Sequence, residues 1–383
     1  MGDAARWLVG WLHARARSSH YYGRVSNLVL PNGYEVRVTD CRAAHDHDEP
    51  AEAAAEPDAL LMLLAAAREG DERAFMQLVE PYRRELHQHC YRMLGSVDDA
   101  DDVVQESLLR AWQSIAGFDG RQSVRPWLYK IATNRCLTAI ASRKRRELPT
   151  DLSPGTVPTK ETEWLESYPD ACLGLDALLP EARVVARERV ELAFVAALQQ
   201  LSALQRAVLV LREVLDFSAR EVAELLETTV ASVNSALQRA RAVVRERTPS
   251  QSQQEELAGL GAEVRSIAAR YADAWESSDV EGIVAMLAED VRLAMPPMLE
   301  WYEGPDAVQA VLVSGPITHR WRLLPTWANG QLAFGCYRWH EERRVFVGEG
   351  LDVLTLRAGR IVAITAFLVA DLEAYGLPST ISS

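Results

Sequence analysis

The sequence predicts a multidomain protein: two all-α helical domains, the second a helix-turn-helix, followed by an α+β domain. Three observations predict it. Apolar residues recur at spacings of three and four in two separate blocks, a proline-rich stretch divides those blocks, and beyond residue 255 the pattern shifts toward strand-like segments. At 383 residues the chain is also too long for one ordinary core.

Taken in order, residues 1–57 show no core-forming pattern and read as a flexible extension, or as a start placed too far upstream. Within them, Asn27 to Thr39 has the makings of a hairpin around Pro31-Asn32-Gly33. Residues 58–147 form the first helical domain. Asp71 precedes a helix carrying Phe75, Leu78 and Val79, which Pro81 should bend or break. From Asp98 to Ile115 a second helix gathers acids in its first turns, where the helix dipole favours them, and Val104, Leu108, Trp112 and Ile115 form its apolar stripe. Pro126 opens a third helix, with Trp127, Ile131 and Leu137 on its apolar side, that ends in Arg143-Lys144-Arg145-Arg146.

Residues 148–187 read as a linker, with Pro149, Pro154, Pro158, Pro169 and Pro180. The second helical domain, 188–248, contains two capping boxes, Ser202 with Gln205 and Ser218 with Glu221, and a third cap at Thr229. Residues 258–378 form the α+β domain: helices at Ala262–Ser277 and Val280–Ala288, then strands at Val291–Met295, Trp321–Trp327, Gln331–Trp339, Arg344–Leu356 and Arg360–Leu368.

Composition narrows the class. The hydrophobic fraction is 48% and the charged fraction 25%, as in globular domains. No apolar run approaches a membrane span, and the short Trp7–Trp11 stretch runs into Arg15 and Arg17, which argues against a secretory signal. The five cysteines are scattered without a CxxC pair, which suits a reducing, cytoplasmic setting and argues against a disulfide framework. No metal-ligand or cofactor motif stands out. A net charge of −13 looks wrong for a nucleic-acid binder, but DNA responds to the local patch.

Such a patch lies between Ser218 and Arg245. Two capped helices joined by a short turn match a helix-turn-helix, whose second helix enters the major groove. No acid falls between Glu227 and Glu246. Ser232, Asn234, Ser235 and Gln238 are short polar groups suited to base edges, while Arg239 and Arg241 suit phosphates. The bland alternative is that the arginines only solvate a helix face.

Three stretches in order carry a family resemblance: DADDVVQESLLRAW (99–112), RPWLYKIATNRCLTAIASRKRR (125–146), and LSALQRAVLVLREVLDFSAREVAELL followed by VASVNSALQRAR. Together they resemble the extracytoplasmic-function group of sigma-70 factors, in particular the subset with a SnoaL-like C-terminal domain. The resemblance implies a specificity subunit of RNA polymerase that directs promoter-specific initiation. Asp99, Asp102, Gln105 and Glu106 would dock on the β′ clamp helices, and the helix-turn-helix domain near the β flap. Arg125, Trp127, Lys130, Asn134, Arg135 and Arg143, Lys144, Arg145 and Arg146 would engage the melted −10 region; Ser232, Asn234, Ser235, Gln238, Arg239 and Arg241 would read the −35 element. The bland alternatives are dipole complementarity for the acids and a core position for Trp127 beside Ile131. The group usually lacks a long N-terminal extension, and the tip of the second helix has no lysine or arginine where relatives often carry one.

The C-terminal domain resembles the cone fold of SnoaL-like cyclases and ketosteroid isomerases. Trp301, Tyr337, Trp339 and Asp352 are its candidate pocket, with Trp275, Tyr302, Phe334 and Phe346 as further aromatics and Asp290, Glu300, His340 and Glu349 as further polar groups. No acid pairs with a particular base, so regulation or ligand sensing is expected of this domain rather than catalysis. A separate anti-sigma protein or a small ligand is a further candidate partner; a membrane is not. Two other classes remain open: an operator-binding regulator that acts without polymerase, which would need a dimerisation element, and a DNA-tethered enzyme, which would need a catalytic pair in residues 258–377.

Overall fold

The computed structural model of the protein describes residues 25–29, 35–39, 57–118, 120, 123–142, 146–151, 163–368 and 370–382. The arms of the expected hairpin lie among them: β1 (Val25–Val29) pairs antiparallel with β2 (Glu35–Thr39), placing Val25 opposite Thr39. The rest of the segment 1–56 lies outside the described residues.

The first helical unit comprises α1 (Pro57–Arg68), α2 (Glu72–Leu94), α3 (Val97–Ser114) and α4 (Val124–Ser142). Asp71 caps α2 by accepting from the amides of Arg73 and Ala74. Of the two outcomes expected at Pro81, a bend or a break, the break does not occur: α2 runs through it. Proline removes one helical hydrogen bond, but Leu78 and Val79 before it and Leu86 and Cys90 after it are buried on one face, and that packing carries the helix through. Ser96 caps α3 through the Asp99 amide, one residue earlier than the acids alone indicate. Phe75 of α2 meets Trp112 of α3 with ring centroids 5.2 Å apart.

The stretch read as a linker is only partly one. Beyond residue 162 it folds onto α2, burying Leu165, Tyr168, Cys172 and Leu173. A two-residue strand, β3 (Arg146–Glu147), pairs in parallel with β4 (Glu163–Trp164) and starts this return. The prolines concealed it, because they mark turns as readily as solvated chain. Cys90, Cys136 and Cys336 are free thiols, whereas Cys172 is disulfide-bonded, which scattered cysteines without a CxxC pair did not signal.

The second helical unit runs through α5 (Pro180–Glu188), α6 (Leu192–Gln199), α7 (Ala203–Leu209), α8 (Ala219–Leu225) and α9 (Val230–Arg247). Both capping boxes form, and Thr229 caps α9 through the Ser232 amide. A π-turn at Val210–Val214 extends α7 toward the helix-turn-helix, which α8 and α9 build.

The C-terminal unit opens with α10 (Gln253–Leu260), α11 (Glu263–Glu276) and α12 (Val280–Ala285). Its strands are β5 (Leu287–Ala294), β6 (Trp301–Glu303), β7 (Trp321–Ala328), β8 (Gln331–His340), β9 (Val345–Arg357), β10 (Arg360–Phe367) and β11 (Thr380–Ile381), with α13 (Pro305–Ser314) between β6 and β7. They form one seven-stranded mixed sheet in the order β6-β5-β10-β9-β8-β7, with β11 against β9. Alternation gives that sheet two different faces. Leu323, Leu332, Phe334 and Leu354 meet the helices through Ile267, Tyr271 and Ile283. Ala333, Tyr337, Leu351 and Val353 turn the other way and belong to a core shared with both helical units.

His89, at the centre of the first unit, is fully buried with Nε2 2.9 Å from the Thr133 hydroxyl. Burial, assisted by the Arg92 charge, lowers its pKa from 6.5 to about 3. The folded state therefore refuses a proton that the unfolded chain accepts. Its stabilising contribution is complete above pH 6.5 and is lost as pH falls toward 3. Denaturant unfolding at several pH values should show His89→Gln reducing the slope of stability against pH in that window by about one proton, or ~1.4 kcal/mol per pH unit.

Candidate functional site

On α9, Asn234, Ser235, Gln238 and Arg239 are exposed, and Ser232 is half-buried beside its cap. The opposite side buries Val233, Ala236, Leu237 and Ala240. A spacing of four places Asn234 and Gln238 on one ridge, with Ser235 and Arg239 beside them. Arg241 is exposed as well, but it is paired at 2.6 Å with Glu213, which competes with a phosphate for it. The face offers short polar groups with a cation behind them.

On α3, Asp102 and Gln105 are exposed and Glu106 half-exposed. They share a ridge with Leu109, which is 55% exposed and which the sequence reading did not include. The spacing 102, 105, 106 and 109 is the i, i+3, i+4, i+7 pattern of a docking face. An exposed leucine interrupting a ridge of acids was the legible signal.

Residues expected to meet different partners also pair with one another. Asp99 and Arg146, assigned to polymerase and to DNA, bind each other at 2.6 Å with both side chains 13% exposed. Arg146 also donates to the Trp164 carbonyl at 2.9 Å. Glu106 and Arg135, likewise assigned to different partners, pair at 2.8 Å. The reason is topological: α3 packs along α4, so Glu106 meets Arg135, and β3 brings Arg146 back to the start of α3, where it meets Asp99; the chain-order reading could not see it. Arg143, Lys144 and Arg145 lie outside the described residues. On α4, Asn134 is exposed, and Trp127 packs on Phe118 with centroids 4.7 Å apart, as its apolar-stripe position implies. Arg125 and Lys130 face the helix-turn-helix unit.

The candidate pocket does not assemble. Tyr337 lies on the sheet face toward the helical units, with its hydroxyl donating to the Pro378 carbonyl at 2.7 Å. Trp339 packs on Phe346 at 5.1 Å, and Trp301 lies under the Arg292 guanidinium. Asp352 is on the opposite face, opposite Phe334, where the Tyr271 hydroxyl donates to it at 2.9 Å. Strand alternation separates these residues, and the sequence reading had pooled both faces. Burial raises the Asp352 carboxyl to about 6. Of the further polar groups, Asp290 is paired with Arg357 at 2.6 Å and Glu349 with Arg338 at 2.7 Å.

A polar joint that the sequence reading missed ties the three units together. The β7–β8 turn is Asn329-Gly330, with φ of 54° and 68°, the left-handed pair that a type I′ hairpin requires. Asn329 is fully buried. Its Oδ1 accepts from the Tyr168 amide at 2.8 Å, and its Nδ2 donates to the Tyr91 hydroxyl at 3.0 Å and to the Val190 carbonyl at 2.7 Å. One side chain thus reaches α2, the returning segment and the entrance to α6. Beside it, the Gly330 amide donates to Asp170 at 2.8 Å, and Gln331 accepts from the Leu192 amide at 3.0 Å. A Cβ on Gly330 would stand 2.8 Å from that of Arg187, so only glycine fits. Glu191 accepts from the Gln254 amide at 3.2 Å, and burial raises its carboxyl to about 7. Asn-Gly between two strand patterns marks a hairpin in the sequence; that the hairpin is buried between domains is not written there.

Comparison with known proteins gives this arrangement a family. Residues 78–146 match the sigma-70 region 2 family, 191–243 the sigma-70 region 4 family, and 268–364 the SnoaL-like domain family. The chain is 42% identical over 328 residues to the ECF RNA polymerase sigma factor SigG of Mycobacterium tuberculosis, covering 83% of this chain and 86% of that one. The chain belongs to the ECF group of RNA polymerase sigma factors. SigW of Bacillus subtilis, also an ECF sigma factor, is 33% identical over 178 residues, which are 46% of this chain and 90% of that relative. The crystal structure of the M. tuberculosis ECF sigma factor SigJ shares the fold, with a TM-score of 0.53 at 22% identity, over 79% of this chain and 99% of that one.

Asn329→Ala removes three buried side-chain bonds and places alanine at positive φ. It should cost the joint roughly 2–4 kcal/mol, seen as faster proteolysis near residues 163–178 and a lower Tm. Asn329→Gly keeps the turn and should recover only the backbone part of that loss.

Proposed function

We propose that this ECF sigma factor joins core RNA polymerase through the α3 ridge, opens the −10 region with α4 and reads the −35 element with α9, under restraint from its C-terminal domain. The observation that supports this best is that α9 exposes short polar groups with Arg239 behind them, while α3 exposes Asp102, Gln105 and Leu109 on a ridge of its own. Carboxylates around an exposed leucine suit a partner of basic residues around an apolar seat. The polar tip of α9, with Arg239 behind it, suits a major groove. Among the described residues no helix is long and apolar enough to cross a membrane, and action with polymerase in the cytoplasm is consistent with that.

The C-terminal domain is read as a regulator rather than a catalyst. The reading rests on two features. Asp352 is already engaged by Tyr271 inside the core, and the turn at Asn329 bonds to both helical units.

Reconstitution tests the function. Purified protein with core polymerase should give run-off transcripts from genomic fragments that core enzyme alone does not produce; no transcript with any fragment would defeat the reading and favour a polymerase-independent regulator. Leu109→Ala and Asp102→Lys should each weaken core binding by about tenfold or more in competition assays while leaving duplex DNA binding unchanged.

For the −35 reader, Arg239→Ala should weaken duplex promoter binding and reduce the slope of log affinity against log salt by about one. Arg241→Ala should do less, since Glu213 competes with phosphate for that cation. Equal effects from both would contradict the exposed-face assignment.

A further inference from the structure

We propose that Glu191 and Glu188 form a proton-sensitive seat for the C-terminal domain: acidification tightens its hold on the second helical unit, and a rise in pH loosens it. The inference deepens the reading of that domain as a regulator by naming what sets its grip, and its test needs neither polymerase nor DNA.

The seat is the place where the second helical unit meets α10. Helix α10 is fastened to the sheet behind it. The Gln253 side chain donates to the Leu356 carbonyl at 2.9 Å and accepts from the Leu356 amide at 2.8 Å, and Glu256 accepts from the Gly359 amide at 2.9 Å. From the other side, Glu191 accepts from the Gln254 amide at 3.2 Å, and Glu188 accepts from the Ser252 hydroxyl at 2.8 Å. Two carboxylates of one unit thus hold the start of a helix that belongs to another.

Their surroundings give Glu191 no cation. It is only 7% exposed. Of the charged groups on the elements packed there, Arg187 pairs with Asp170 at 3.2 Å, and Arg189 donates to the Glu213 carbonyl at 3.3 Å. Glu255 turns back to the Ser252 amide at 3.0 Å, and Glu188 is a like charge. Among the described residues no lysine or arginine pairs with Glu191. A buried carboxylate held by amides alone is poorly compensated for the water it has lost, so it favours its neutral form. Burial, with the Glu188 charge added and the amides opposing, accordingly raises the Glu191 carboxyl from 4.5 to about 7. Asp170, across the joint, is raised by burial too, against the pull of the Gly330 amide and Arg187.

The direction of the switch follows. Released from the seat, Glu191 meets water and returns to its ordinary value of 4.5. Between the two values the docked state keeps a proton that the released state has given up. Docking is therefore tightest below pH 4.5, weakens by up to about tenfold per pH unit as pH rises, and levels off above about 7.

Hydrogen exchange on the free, full-length protein tests the seat, read from about pH 5 to 8 as protection relative to the intrinsic exchange rate. Protection of the Leu192 and Gln254 amides should fall by roughly fivefold or more per pH unit up to about pH 7, while Ile364 in the sheet interior keeps its own. Glu191→Gln, which stays neutral, should flatten that fall. Glu255→Gln removes an exposed acid from the same turn and should leave it unchanged. A flat profile in the unsubstituted protein, or the same slope in Glu191→Gln, would overturn the proposal. Should Glu191→Gln weaken the joint outright, Glu188→Gln reads the same coupling: loss of the like charge should move the midpoint to lower pH. An unmoved or higher midpoint would also overturn it. A protein with the expected profile that never initiates defeats the sigma-factor reading alone, and one that initiates with a flat profile defeats the seat alone.

Discussion

A single buried amide, Asn329, is the constraint on which the arrangement of this protein depends. Its side chain hydrogen-bonds at 3.0 Å or less to groups from α2, from the segment returning over α2, and from the entrance to α6. Once those groups are out of water they need partners, because an unsatisfied buried donor or acceptor costs more than a made bond returns. The joint is therefore specific as well as stabilising: no displaced docking of the sheet satisfies the same three groups. The apolar face around Tyr337, Leu351 and Val353 supplies the area, and Asn329 fixes the register.

The other polar features follow the same logic at decreasing burial. Arg206 is buried, and it donates to the Gln199 carbonyl at 3.0 Å and to the Met93 carbonyl, linking α7 to the end of α2. Asp99 with Arg146 is largely shielded and fastens the start of α3 to β3. Lys130 with Glu227 lies in water. A gradient from buried bonds to screened ones lets a domain separate at one edge while remaining folded. Helix α4 lies at the screened edge.

Much of this was legible in the sequence. The capping boxes at Ser202 and Ser218 fixed two helix starts, and the five strands expected in the last domain recur within a few residues, because local periodicity and caps are local physics. The exposed polar face of α9 was also readable from spacing. What was not legible depends on distant partners. Glu106 and Arg135 are 29 residues apart and cancel one another. Tyr337 and Asp352 looked like one pocket until alternation placed them on opposite sides of a sheet. A break at Pro81 was as readable as a bend until packing on both sides carried α2 past it. The return of residues 163–178 was hidden because a proline-rich run reads the same whether it is solvated or docked.

The most direct measurement of the closed architecture is hydrogen exchange at the amides that bond across the joint: Tyr168, Leu192, Asn329 and Gly330. Free protein should protect all four, and the complex with core polymerase and promoter should lose protection at one side of the joint at least, since α2 and α6 cannot both stay on Asn329 while the two readers separate. Rapid exchange of these amides in the free chain, or full protection of all four in an initiating complex, would contradict the account.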